Sequence, residues 1–264
     1  MPGVALNGVD FWIDVVGHAG GTPVVLLHGL GSSSVDWTFQ IPAFAGQHRV
    51  LAVDLPGHGQ ARPSRRHPGI VDVAHALDAA LAAVGEREVH VVGLSLGGCV
   101  GLALAAAHPA RVRSLTVVNA FARLAPAGLP GVARAVHRVA LACAAPMPTL
   151  AAHVARTLFP KPGQRELFDM AVRSLSSTPR RTYLASMAAL ARFDGRARLA
   201  DVRCPTLVVV GDRDATVPRP AAERLCETIP RARLLIVCDS GHATPYDQPQ
   251  VFNREVLAFI AGAS

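Results

Sequence analysis

Between Val89 and Gly98 an apolar run delivers a serine into the pentapeptide Gly93-Leu94-Ser95-Leu96-Gly97. A strand, then G-x-S-x-G, then the alanine-rich helical stretch Cys99 to Ala107 makes the pattern of a nucleophile elbow. In such an elbow the serine sits on a strained turn, and the flanking glycines stay small because the backbones pack too closely for side chains. The helix N-terminus beneath the serine points N–H groups at developing negative charge. A hydroxyl so placed suits attack on a carbonyl, provided a base takes its proton and a carboxylate orients that base. The competing reading is a glycine-rich turn with a solvated serine.

The surrounding pattern supplies the elements that would hold such a site. Val4–Leu6 and Val9–Val16 flank Asn7-Gly8, a dipeptide suited to a tight type I′ turn, so the chain opens with a hairpin. Six short runs rich in Val and Leu follow, at 24–27, 50–53, 89–92, 115–118, 207–210 and 234–237. They are too short for helices and read as buried parallel strands. Alanine-rich helical stretches lie between them, among them Ile70–Val84. From Phe121 to Leu199 there is no convincing strand; prolines 126, 130, 146, 148, 160, 162 and 179 punctuate helical patches. This predicts a helical insertion between two core strands. Its apolar residues, Leu124, Leu129, Met147, Leu150, Phe159 and Phe168 among them, fall at helical spacing and are expected to pack as a core more than to line a pocket.

Two further motifs follow strands: His28-Gly29-Leu30-Gly31 and Asp54-Leu55-Pro56-Gly57-His58-Gly59. Together with the elbow they make the chain similar to the α/β-hydrolase family, serine hydrolase branch, over nearly all of its length outside 121–199. The resemblance implies an α/β fold: a mostly parallel eight-stranded sheet flanked by helices, built from 1–120 and 200–264, with a helical cap, 121–199, inserted after the sixth strand. It implies that the backbone N–H groups of Leu30 and Leu96 form the oxyanion hole. His28 and the 54–59 loop are read as structural.

The same resemblance places the acid after a later strand and the base after the last one. Gly211-Asp212-Arg213-Asp214 offers two carboxylates; the family's G-x-x-D arrangement selects Asp214 and leaves Asp212 to the turn. Some relatives carry the acid after the preceding strand, where this chain has Asn119, which holds no negative charge. Of eleven histidines, His242 follows the last strand and completes the order Ser, Asp, His. Arg123, just past the sixth strand, is a candidate contact for a substrate carboxylate.

Composition narrows the alternatives. Half the residues are hydrophobic and 17% are charged, which excludes disorder and suits a sheet buried on both faces. The net charge of +7 comes from scattered arginines, single or paired as in Arg65-Arg66, without the basic stripe and aromatics of a nucleic-acid surface. Excess positive charge would instead steer an anionic small substrate. Five widely spaced cysteines without a C-x-x-C pair read as thiols of a reducing compartment. With no leader pattern in 1–20 and no apolar run of membrane-spanning length, the expectation is a cytoplasmic location without membrane partners. No metal, ATP or dinucleotide motif occurs, so no cofactor is expected.

The resulting expectation is a serine hydrolase that cleaves a carboxylic ester or lactone through an acyl-enzyme on Ser95, most similar to enol-lactonase-like and small esterase members. Haloalkane dehalogenase and epoxide hydrolase chemistry needs a carboxylate nucleophile, which Ser95 is not. Carbon-carbon hydrolases of ring-cleavage products, haloperoxidase-like members, acyltransferases and non-catalytic ligand binders share the fold and stay open.

Overall fold

The computed structural model describes residues 4–6, 8–17, 23–64, 68–125 and 128–263. Among the described residues there are eight strands: β1 (Val4–Leu6), β2 (Val9–Val16), β3 (Val24–Leu27), β4 (Val50–Asp54), β5 (Val89–Leu94), β6 (Val112–Val118), β7 (Thr206–Gly211) and β8 (Ala232–Val237). They lie in the order β1-β2-β4-β3-β5-β6-β7-β8. β3 to β8 are mutually parallel, and β2 is antiparallel to β4. β2 to β8 form a continuous seven-strand sheet; the eighth strand is the three-residue arm β1, paired only with β2. In the turn joining them Gly8 has φ +78°; Asn7, like Arg65, Arg66 and Pro126, lies outside the described residues.

β3, β4, β5 and β7 are buried at every position. Strands covered on both faces have no solvent side, which is why their sequences read as continuous apolar runs rather than alternating ones. The helices are α1 (Ile41–Ala45), α2 (Ile70–Ala83), α3 (Leu96–Ala107), α4 (Gly128–Ala144), α5 (Met147–Leu158), α6 (Arg165–Ser177), α7 (Arg180–Arg192), α8 (Arg219–Thr228), α9 (Thr244–Asp247) and α10 (Pro249–Gly262). One apolar cluster joins one face of the sheet to α2, α3 and α8, and a second joins the other face to α1 and α10. α3 begins three residues earlier than the sequence suggests, because Ser95 itself stands at its N-cap.

Between β6 and β7 the chain is helical, α4 to α7. These helices have a small apolar cluster of their own, with Leu150, Ala151, Val154, Leu175 and Tyr183. They rest on the loops below: Leu175 and Tyr183 crowd Gly31, and Thr182 crowds Gly57. Both glycines have positive φ and no room for a Cβ. Leu150 and Phe159 are buried as expected of a core, but Leu124 and Leu129 are exposed. Helical spacing marks a face as apolar without saying whether anything covers it.

The tightest packing lies at the start of α3. A Cβ on Gly97 would collide with the carbonyl and side chain of Leu27, and one on Gly93 with the backbone of Gly97 and Gly98. Gly97→Ala is therefore expected to cost about 1–3 kcal/mol through forced backbone shifts. Urea unfolding of the variant checks this, and an unchanged midpoint would contradict the packing.

Candidate active site

The elbow places Ser95 between the end of β5 and the first turn of α3 at φ +52°, ψ −108°. For a residue with a Cβ this is a strained conformation, costing of order 1–3 kcal/mol. It is held from three sides. The Ser95 amide donates to the Val118 carbonyl at 2.9 Å, the Gly97 amide to His28 O at 3.1 Å, and the Cys99 amide to Ser95 O at 3.0 Å.

Three side chains from three separate strand ends meet there. The Ser95 hydroxyl donates to His242 Nε2 at 3.0 Å, and His242 Nδ1–H donates to Asp214 Oδ2 at 2.8 Å. With Nδ1 committed to the carboxylate, Nε2 is left as the proton acceptor toward the serine. The other oxygen of Asp214 accepts from the amides of Thr216 (2.7 Å) and Val217 (2.9 Å), which fixes the carboxylate plane. Its side chain is 1% exposed and that of His242 10%, while Ser95 is only partly buried. The buried carboxylate thus orients the ring and the serine end stays reachable.

The backbone N–H of Leu96 directly follows Ser95, and that of Leu30 lies in the loop after β3, where a Cβ on the preceding Gly29 would come within 3.8 Å of the Ser95 side chain. Among the described residues neither has an acceptor, whereas the Ser95 and Gly97 amides on either side of Leu96 are both taken. Two amides without partners beside a nucleophile suit an oxygen anion as acceptor. Asp212 lies in the turn after β7 and accepts from the amide of Ser240, in the turn after β8, at 3.1 Å. Arg123 is not joined to these residues. Its guanidinium lies 4.0 Å from Asp194 on the exposed surface, where the backbones of the two residues also form a bridge.

Several supports were invisible in the sequence. Asn119, at φ +46° after β6, donates from Nδ2 to His242 O (2.7 Å) and Thr244 Oγ1 (2.8 Å) and accepts from the Gly211 amide at 3.0 Å. One buried amide side chain thus ties the loop that carries Asp214 to the loop that carries His242. Asp247 accepts from the Gly241 amide at 2.6 Å and from Gln164 Nε2 at 2.5 Å. Asp36 accepts from Ser32 Oγ and from Ser174 Oγ of α6 (2.7 Å), joining the loop after β3 to the inserted helices; removal from water pushes its carboxyl above the usual range. In the sequence each of these is only a polar residue in the segment that follows a core strand.

The histidines of the two loops that follow β3 and β4 are both buried. His28 donates from Nδ1 to Gly29 O (2.7 Å) and accepts from the Leu55 amide on Nε2 (3.0 Å). The ring of His58 lies 5.0 Å from it, tilted by 56°, and borders a cavity of about 190 Å³ walled by Leu55, Ile70, Leu96 and Val100. Burial pushes His28 down to about 4 and His58, also beside His28, down to about 3; His90, buried in β5 near His48, falls to about 4.

The α/β hydrolase fold family model matches residues 22–249, and the chain belongs to this family. A protein named "Putative carbamate hydrolase RutD" from Azorhizobium caulinodans is 34% identical over 267 residues, covering 98% of each chain. Among solved structures, a hydrolase from Pseudomonas aeruginosa PA01 superposes with a TM-score of 0.89 at 29% identity, covering 98% of this chain and 97% of its own. The enol-lactonase from Burkholderia xenovorans LB400 superposes with a TM-score of 0.90 at 24% identity over 98% and 100%, a likeness of fold. Among the described residues no helix is long and apolar enough to cross a membrane, and no group of three His, Cys, Asp or Glu could hold a metal ion.

The buried neutral histidines have a thermodynamic consequence. In the unfolded chain each titrates near 6.5, but in the fold only near 3 to 4. Below about pH 6.5 the unfolded state therefore takes up protons that the native state refuses, and stability is lost as pH falls toward 4. Urea midpoints are expected to be lower at pH 5.0 than at pH 7.5; equal midpoints would contradict neutral burial.

Proposed function

We propose that the chain is a serine hydrolase of small carboxylic esters or lactones, with residues 1–120 and 200–264 as its catalytic core and 121–199 as a helical cap. The observation that carries this reading is the continuous chain Ser95 Oγ, His242 Nε2, His242 Nδ1, Asp214 Oδ2, with both links within hydrogen-bond reach. In this mechanism Ser95 Oγ attacks the substrate carbonyl as its proton passes to His242 Nε2. Asp214 remains ionised and stabilises the imidazolium. The carbonyl oxygen becomes an oxyanion held by the amides of Leu30 and Leu96. Collapse breaks the bond to the leaving alcohol, which takes the proton from His242, and an acyl-enzyme remains. A water gives its proton to His242 and attacks the acyl carbon; release of the acid returns that proton to Ser95.

The role of Asn119 is to position His242 and Asp214 relative to one another. The partly exposed serine and a positively charged chain suit a small, anionic substrate reached from water. A second reading is a carbamate as the acyl donor. It is favoured by full-length similarity at 34% identity to a protein whose name carries that activity, and it uses the same attack and the same oxyanion.

Hydrolysis of p-nitrophenyl acetate, a lactone and a p-nitrophenyl carbamate by the wild type separates these readings. Ser95→Ala is expected to lower kcat by about 10³-fold or more on whichever is turned over, and Asp214→Asn by about 10³ to 10⁴. A fluorophosphonate should label Ser95 and no other residue, as read by mass spectrometry. An unlabelled Ser95, with Ser95→Ala matching the wild type, would remove serine catalysis from consideration.

Asn119→Ala is expected to lower kcat while leaving KM nearly unchanged, and Asn119→Gln not to rescue it. Equal loss in stability and none in kcat would make the residue structural only.

A further inference from the structure

The loop after β3 carries the Leu30 amide, and both of its ends are held by the core. The Gly97 amide donates to His28 O at 3.1 Å, and the Ser34 amide donates to Asp54 Oδ1 at 2.6 Å. Between those anchors the chain makes one reverse turn, closed by the Ser32 amide on Gly29 O at 3.3 Å, with Leu30 and Gly31 at its centre. Gly31 has φ +76°, close to what a type II turn asks of its third residue. The hydrogen bond of such a turn joins its outer residues, so the Leu30 N–H is not used within it. The direction of that N–H therefore depends on how the turn as a whole is held.

Asp36, in the single helical turn Ser34–Trp37, folds back on the exit of this reverse turn. Its Oδ2 accepts from Ser32 Oγ and, at 3.4 Å, from the Ser33 amide. The same oxygen accepts from Ser174 Oγ of α6 at 2.7 Å. The Tyr246 hydroxyl also donates to this carboxylate, from α9, four residues past His242. Apolar packing joins the same three elements. Leu175 and Tyr183 press on Gly31, and the Leu30 side chain lies against both the sheet cluster and the cluster of the inserted helices. The Tyr246 ring meets Phe39 and Phe159 edge-on at 6.1 and 5.9 Å. All four donors to Asp36 are neutral; burial opposes its ionised form and each donor favours it. An apolar side chain would join these elements without that opposition, but hydrogen bonds also fix direction.

We propose that Asp36 is a positioning residue of the oxyanion hole: it fixes the turn that carries the Leu30 amide by tying it at once to α6 and to the segment that follows His242. Its partners are Ser32, Ser33, Ser174 and Tyr246, and not Ser95 or His242, so it acts through the backbone it holds. This role rests on the serine-hydrolase reading above and adds a part to it. Asn119 sets the loop of the acid against the loop of the base, and Asp36 sets the loop of an oxyanion donor against the loop of the base. Because Ser174 is one of the ties, α6 belongs to the catalytic assembly and does more than cover it.

Kinetics of the full chain on an ester that the wild type turns over, with a trifluoromethyl ketone as probe of the oxyanion, test it. Asp36→Asn is expected to lower kcat about 10- to 100-fold, as a shift of a catalytic group by about 1 Å does. KM should stay nearly unchanged. The ketone forms a hemiketal whose oxyanion sits where that of the transition state does, so its inhibition constant should rise by a similar factor. The acid limb of kcat/KM against pH, set by the base His242, should not move, which separates a displaced amide from a displaced base. Ser174→Ala and Tyr246→Phe each remove one donor and should lower kcat about 3- to 10-fold, the worth of one hydrogen bond. They carry the test if circular dichroism shows that Asp36→Asn does not fold. Variants that melt earlier but keep wild-type kcat and ketone inhibition would make Asp36 structural only and overturn the proposal. A shifted acid limb would overturn it too, by assigning the loss to His242. Fluorophosphonate treatment of the wild type tells this failure from that of the underlying reading. An unlabelled Ser95 without turnover removes both, whereas a labelled Ser95 with an indifferent Asp36 removes only the positioning role.

Discussion

The site depends on a steric constraint: the first turn of α3 must touch the ends of β3 and β5 almost backbone to backbone. Gly93 and Gly97 leave no space for a Cβ, and the contact they permit brings the amide of Gly97 onto His28 O. That hydrogen bond links the elbow directly to the loop carrying Leu30. The serine at positive φ, the amides beside it and the loop after β3 are therefore one assembly and not three placed independently. Moving α3 outward by the radius of a methyl group would relax the turn and separate the two amides together.

The supporting layer follows a division of labour between charged and neutral groups. Asp214 carries the charge that faces His242, sealed from water and held by two amides. Around it the connections between loops fall partly to neutral Asn119, whose amide donates and accepts at once. A carboxylate at that position would keep an acceptor for the Gly211 amide but lose the N–H donors that meet His242 O and Thr244 Oγ1. Asp212 and Asp247, by contrast, spend their oxygens on turn amides.

Much of this was legible in the sequence because the determining residues are local. Fully buried parallel strands read as unbroken apolar runs, and the 50–53 and 207–210 runs fell inside the observed strands, a residue or two short of their ends. The elbow is visible because its two glycines and serine fall within five consecutive residues. Asp214 and His242 were reached through resemblance, since nothing in their neighbours forces them toward Ser95, and their geometry comes from strand order across the sheet. Asn119 was read only as a missing acid; its three partners lie over ninety residues away, a separation no local pattern encodes. The exposure of Leu129 escaped for a different reason. A helix face that packs inward and one that faces solvent share the same period.

The inserted helices leave and rejoin the sheet at one place. Arg123 and Asp194 form a backbone bridge, and the Gly195 amide donates to Ala122 O at 2.8 Å, so the exit after β6 and the return before β7 are stitched together. Everything between those stitches is a closed cassette whose length is free to vary without altering the register of β6 against β7. Evolution can therefore rewrite the outer helices, and with them the surroundings of the sheet, while Ser95, Asp214 and His242 stay anchored to a frame that never registers the change.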